Sequence, residues 1–173
     1  LSSLTVTGPI TLPGSVTSTG PQRYNSAVTL GSNTTITTTN GDVIFNSTVN
    51  GTSAGSQSLT IANGSGAIVL GGDVGATTSL LSVNFSSSSS ATILVGSVTT
   101  SGSQTYSGSM YVAGASPTLT STSGGVTVSG GISSGGIIQF TGTTSGSYIY
   151  NGGSSMALGS TAVLVGDMYI SFS

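Results

Sequence analysis

A stretch of sixteen residues recurs along this chain at a distance set by its architecture. Residues 15–30 read SVTSTGPQRYNSAVTL and residues 97–112 read SVTTSGSQTYSGSMYV, an offset of 82. After a one-residue insertion the match resumes, with ITTTNGDVIF at 36–45 against LTSTSGGVTV at 119–128, an offset of 83. A third copy, TSGSYIYNG at 144–152, matches TSGSQTYSG at 100–108, an offset of 44. Offsets of 82 and 44 share a divisor near 21, as about four and two units, and a period of about 20–50 residues is the signature of stacked repeats. Each unit then has room for two or three short strands, as in one coil of a parallel β-solenoid.

The local pattern agrees. No window sustains apolar residues at i, i+3 and i+4, and Gly interrupts every helical candidate. Strand patterns recur instead, at Leu4–Val6, Ile10–Leu12, Val28–Leu30, Leu59–Ile61, Leu81–Val83, Val126–Val128 and Tyr169–Phe172. Thr is the commonest partner in these stretches, and β-branched residues suit a pleated surface. Turn signals separate them: Asn40-Gly41, Asn50-Gly51, Asn63-Gly64, Gly124-Gly125, Gly135-Gly136 and Asn151-Gly152. The expected fold is all-β, one domain over residues 1–173, a right-handed parallel β-helix of roughly eight coils. At about 4.8 Å per coil it forms a rod about 40 Å long. A β-sandwich fibre subunit completed by a donated terminal strand is the alternative.

The pattern in Thr17–Phe45 and Thr99–Val128, G-x-Q-x-Y followed by T-(I/L)-T, resembles the repeats of large secreted bacterial adhesins of the filamentous-haemagglutinin and autotransporter-passenger kind. The resemblance implies a parallel β-helix, export to the cell surface, and adhesive or scaffolding use. The secretion-directing N-terminal module and the C-terminal membrane barrel of complete members are not recognisable in this sequence. No basic n-region or apolar h-region opens it, so either a removed leader or a longer parent chain is expected.

Composition sets limits on function. The chain lacks Cys, His, Trp, Lys and Glu, and its only charges are Arg23, Asp42, Asp73 and Asp167. General bases, nucleophiles and metal ligands come mainly from the absent residue types. No enzyme activity and no catalytic, cofactor-binding or metal site is therefore expected. A single cation is too few for nucleic acid or an anionic membrane surface, and no apolar run reaches the ~20 residues of a membrane-spanning helix. With no Lys there is no isopeptide staple, and with no Cys no disulfide. Yet 35% of residues are hydrophobic and the net charge is only −2, which argues for an ordered core rather than a linker.

Each candidate site has a plain alternative. Asp42 and Asp73 lie in Gly-rich turns and faintly resemble calcium-loop residues, but calcium takes six to eight oxygens, and a carboxylate capping a nearby backbone N–H is the expected role. A glycosidase-like pair among Asp42, Asp73 and Asp167 lacks supporting groups. Arg23 is replaced by Thr105 and Ile149 in the other copies, so it reads as a solvated rim residue. Tyr24, Tyr106 and Tyr150 occupy equivalent places and are expected to form a packing ladder rather than a sugar-stacking stripe. Asn33, Asn46, Asn50, Asn63 and Asn84 begin N-glycosylation patterns, and the Ser86–Ser90 run could carry O-linked sugar.

The function expected is an extracellular fibre or stalk that self-assembles end to end, or the shaft of a cell-surface adhesin. Its partner is then another copy, or further repeats of a longer chain, with a surface glycan as a further contact. An ice-binding Thr-rich solenoid is the runner-up, suggested by Thr34–Thr39. Val126-Thr127-Val128 and Ile138-Gln139-Phe140 stand against it by breaking a Thr-x-Thr pattern.

Overall fold

A computed structural model describes residues 1–88, 91–130 and 132, and, beyond these, the strand backbones at 132–134, 139–142, 147–152, 163–165 and 167–172. All described regular structure is β-strand, and every strand pairing is parallel. The chain is a parallel β-solenoid of about six turns as far as residue 130. This is the right-handed β-helix expected, and the parallel pairing excludes the sandwich. The strands beyond residue 130 extend the same sheets, so the longest sheet holds eight strands.

Each turn contributes a strand, or at Val74 a single bridge, to each of three faces. Face 1 stacks Leu4–Val6, Gln22–Tyr24, Val43–Phe45, Ile68–Leu70, Thr92–Leu94, Met110–Val112 and Ile132–Ser134. Face 2 begins with Ile10–Leu12, Val28–Leu30 and Val49–Gly51. It passes through single bridges at Val74 and resumes at Val98–Thr100. Face 3 is the unbroken eight-stranded sheet, from Ser15–Thr17 and Thr34–Thr37 through Ser58–Gly64 and Ser82–Ser87 to Asp167–Phe172.

Short strands suffice because alternation does the sorting. In Val43–Phe45, Val and Phe point inward and Ile44 outward, and the same buried–half-buried–buried order recurs in most three-residue strands. Parallel register stacks like on like: Val28 lies beside Val49, which bridges Val74, which bridges Val98. Each fully buried aliphatic side chain contributes about 1.5–3 kcal/mol, so the interior column holds the fold without disulfides.

Unequal turns are accommodated at the corners. Along face 1 the register steps from Gln22 to Val43, Ile68, Thr92 and Met110, so one turn takes between 18 and 25 residues. Glycine makes the tight corners possible. A Cβ on Gly41 would sit 2.3 Å from the carbonyl carbon of Gly20 one turn below, and one on Gly124 would sit 2.1 Å from the amide nitrogen of Ser103. Backbone passes over backbone there with no space for a side chain.

Some turn signals prove to be strand. Asn50-Gly51 ends the strand Val49–Gly51, and Asn63-Gly64 ends Ser58–Gly64. At Gly51 the space a side chain would fill is taken by the Gln57 carboxamide and Leu80. Asn151-Gly152 likewise lies within the strand Ser147–Gly152. Gly135-Gly136 falls outside the described residues.

Candidate functional surface

The three repeat copies do not share one face. Four turns on from Gln22 stands Met110, whereas the repeat matches Gln22 to Gln104, on the strand before it. Tyr24 therefore lies on face 1 and Tyr106 on face 3. The offset of 44, by contrast, is two whole turns: Tyr106 pairs with Val128 and Val128 with Tyr150. The single three-tyrosine ladder is thus corrected. A motif shorter than a turn can be used at any corner, so similarity in sequence does not fix the face.

What the repeat does encode is a corner. At the first copy, between faces 3 and 1, the fully buried Gln22 accepts a hydrogen bond from Tyr24 Oη at 2.7 Å. Its Nε2 donates to Ser18 Oγ at 3.0 Å and to the Thr37 carbonyl of the next turn at 3.2 Å. Ser18 Oγ donates to the Gly20 carbonyl at 2.6 Å. The second copy, between faces 2 and 3, repeats this atom for atom. Gln104 accepts from Tyr106 Oη at 3.0 Å, and its Nε2 donates to Thr100 Oγ1 at 3.2 Å and the Thr120 carbonyl at 2.8 Å. Thr100 Oγ1 donates to the Gly102 carbonyl at 2.6 Å. Burial pushes the Tyr24 hydroxyl up to about 12 and raises that of Tyr106 further. Both tyrosines are closed to solvent, so no sugar-stacking stripe forms from them.

Among the described side chains the charged residues Arg23, Asp42 and Asp73 are not gathered into a site. Asp42 lies at the corner before face 1 and accepts the Ala67 amide at 2.8 Å. Asp73 lies at the corner before face 2 and accepts the Ser97 amide at 2.8 Å. Each carboxylate clips one turn to the next, the capping role expected, although the amide is 24 or 25 residues away in sequence. Asn33, Asn40 and Asn50 do the same for Ser58, Ser65 and Thr77. Asp167 opens a strand of face 3 opposite Ser147, and its side chain lies outside the described residues. Arg23 is exposed in the outward row of face 1, between Thr5 and Ile44. No group of three potential metal ligands occurs among the described residues.

Of the glycosylation patterns, Asn63 is excluded on accessibility. It is wholly buried, donating to the Gly66 and Ala67 carbonyls at 2.6 and 3.1 Å. Asn84 projects outward and is exposed. Ser86–Ser88 are described: Ser87 is buried and donates to the Gly66 carbonyl, while Ser86 and Ser88 face out. The rest of that run lies outside the described residues.

The outer surfaces of faces 1 and 3 differ in kind. Across face 1 the register aligns Ile44, Val69, Ile93 and Tyr111, an apolar stripe. Across face 3 it aligns Ser15, Thr35, Thr60, Asn84, Thr105 and Thr127. Two residues further along the strands a second row runs Thr17, Thr37, Ala62 and Ser86, then Ser107 and Ser129, whose amides bond to the strands beneath. Ala62 and Gly64 leave a hollow of about 610 Å³ between Thr37 to Thr39 and Ser86, Ser88 and Ser107. Val126 and Val128, which break a Thr-x-Thr pattern in the sequence, point inward; Thr127 keeps the row. Gln139 and Phe140 belong to a strand of face 2. Sequence reading missed these rows because turns of unequal length hide their alignment. The visible signal was a hydroxyl residue at alternate positions of most face 3 strands.

Comparison with family models, with curated proteins and with solved structures finds no match to this chain.

Proposed function

We propose that the chain is a structural shaft, a segment of an extracellular or cell-surface fibre or adhesin whose ends accept a further coil. The observation that carries this reading is the state of the first turn. Leu4, Val6, Ile10 and Val16 point into the column yet remain partly exposed, while their neighbours one turn on, Tyr24, Val28 and Ile36 among them, are buried. In the first turn the column thus presents apolar side chains and three strand edges that no described residue covers. Unpaired strand edges template further pairing unless charge, Pro or a covering segment blocks them. A second coil, from another copy or from a longer parent chain, would extend the ladders at about 1 kcal/mol net per hydrogen bond and bury the exposed apolar surface. Low charge leaves little repulsion to oppose such contact. The separation of Asp42 and Asp73 on different corners supports a structural rather than a catalytic role.

Electron micrographs and light scattering of the purified chain test the reading. End-to-end filaments are expected, and Thr5→Lys with Thr11→Lys should shorten them, because both residues are exposed on edge strands and outside the core. Tyr169→Lys, at the register position that aligns through Ile149 with the outward Thr127, is the matching change on the last strand of face 3. A chain that stays monomeric at high concentration, unaltered by these changes, removes self-assembly and leaves a segment within one long chain.

A further inference from the structure

We infer that face 3 is a binding surface for an ordered water lattice, that is, for ice. This stands independently of the shaft reading, which concerns the ends of the rod. Three observations carry it. The first is regularity: a continuous sheet sets the outward residues about 4.8 Å apart from turn to turn and about 6.6–6.8 Å apart along each strand. Register holds along the central row from Ser15 to Thr127, with its one irregularity at Ser86 and Ser87 to the side.

The second is unused bonding capacity. The inward hydroxyls of Ser18, Thr38 and Thr100 donate to backbone carbonyls at 2.6 Å. The outward hydroxyls of Thr35, Thr60, Thr105 and Thr127 have no such bond to another described residue, so each offers a donor and two acceptor sites to water. Their β-branching restricts χ1, which fixes methyl and hydroxyl in direction and lowers the entropy lost on contact.

The third is what the rows lack. From Ser15 to Thr127 they contain no charge and no aromatic ring. Charged groups hold their own hydration shells, and sugar sites use aromatic faces with convergent polar groups. A neutral array of small hydroxyl and methyl groups suits neither an ion nor a glycan chain, and it does suit a neutral hydrogen-bonded lattice. Ala62 and Asn84 interrupt the hydroxyls, and by register the central row passes from Thr127 to Ile149 and Tyr169, so the array is confined to the first six turns.

The test is thermal hysteresis and partition into a slowly growing ice front, measured on the full chain. Faceted crystals and enrichment of the protein in ice are expected. Thr60→Tyr and Thr105→Tyr, which place a bulky ring in the centre of face 3, should bring both signals down to the buffer level. Thr99→Tyr, in the outward row of face 2, should leave both unchanged. Melting curves taken in parallel identify any variant that has lost its fold, and Thr35→Tyr then serves in its place. Absence of both ice signals in the unaltered chain overturns the inference. So does equal loss in the face 2 variant, or removal of the protein by crystalline cellulose or chitin with no enrichment in ice.

Discussion

The corner built by Gln22 and Tyr24 and the corner built by Gln104 and Tyr106 use the same polar atoms but different aromatic neighbours. Tyr24 stacks on Phe45 of the following turn, with ring centroids 4.9 Å apart and planes 12° apart. Tyr106 meets Phe85 of the preceding turn edge-on, at 5.4 Å and 79°. The hydrogen bonds are therefore specified by the motif, and the ring packing by the face on which it lands. The repeat is a transferable corner, which explains why its copies can differ in face without loss of any buried bond.

Removing the ring should separate the two corners most. Tyr24→Ala and Tyr106→Ala are each expected to lower stability by about 3–5 kcal/mol, the range for a large buried aromatic, as read from urea denaturation. Unequal losses would show that stacked and edge-on partners hold their sites differently. Crowding the crossing backbones comes next. Gly41→Ala and Gly124→Ala should each cost about 1–3 kcal/mol through forced backbone shifts, and the pair should behave alike if the corners are equivalent. Removing only the hydroxyl isolates the shared network. Tyr24→Phe and Tyr106→Phe leave the Gln Oε1 without its donor, at a cost of about 1–3 kcal/mol, and equal values at both corners are expected.

The response to pH follows from the same tyrosines. Their folded-state values lie above the ordinary value near 10, so the unfolded chain loses these protons first as pH rises. Stability is full below pH 10 and falls as pH climbs from 10 through about 12, where Tyr24 titrates. Melting curves should be flat from about pH 5 to 9, because the chain has no His and no Cys, the side chains that ordinarily change charge there. The smallest effect is expected of Asp42→Asn and Asp73→Asn, since an amide oxygen accepts the Ala67 and Ser97 amides as a carboxylate does. A loss beyond about 1 kcal/mol would give these carboxylates a role that capping does not explain.

One buried group has no counterpart among the described residues of the other turns. Asn63 stands in the inward corner column with Ser18, Thr38 and Ser87, and its Oδ1 has no hydrogen-bond partner. The smaller hydroxyl residues above and below satisfy themselves on Gly20, Gly41 and Gly66 carbonyls. Asn63 instead uses its amide for two carbonyls and leaves the acceptor idle, a choice with no evident reason in the packing.

By itself the sequence determined the class of fold. Alternation at Val28–Leu30 or Val126–Val128 decides which side chains point inward, because a strand has a period of two and a buried column rewards every apolar residue placed on one side of it. Of the repeat spacings only the offset of 44, two whole turns from Tyr106 to Tyr150, reports the stacking directly, whereas the offset of 82 falls one strand short of four turns. The tertiary structure alone decided which face each copy occupies, that Asp42 and Asp73 clip successive turns, and that the hydroxyls of face 3 line up. Those facts depend on register between strands 18 to 25 residues apart, and corner length sets that register. The corner leading from face 2 to face 3 is residues 13–14 in one turn, 31–33 in the next and 52–57 in the one after, with strands on either side each time, so the sequence leaves the register open until the turns are stacked.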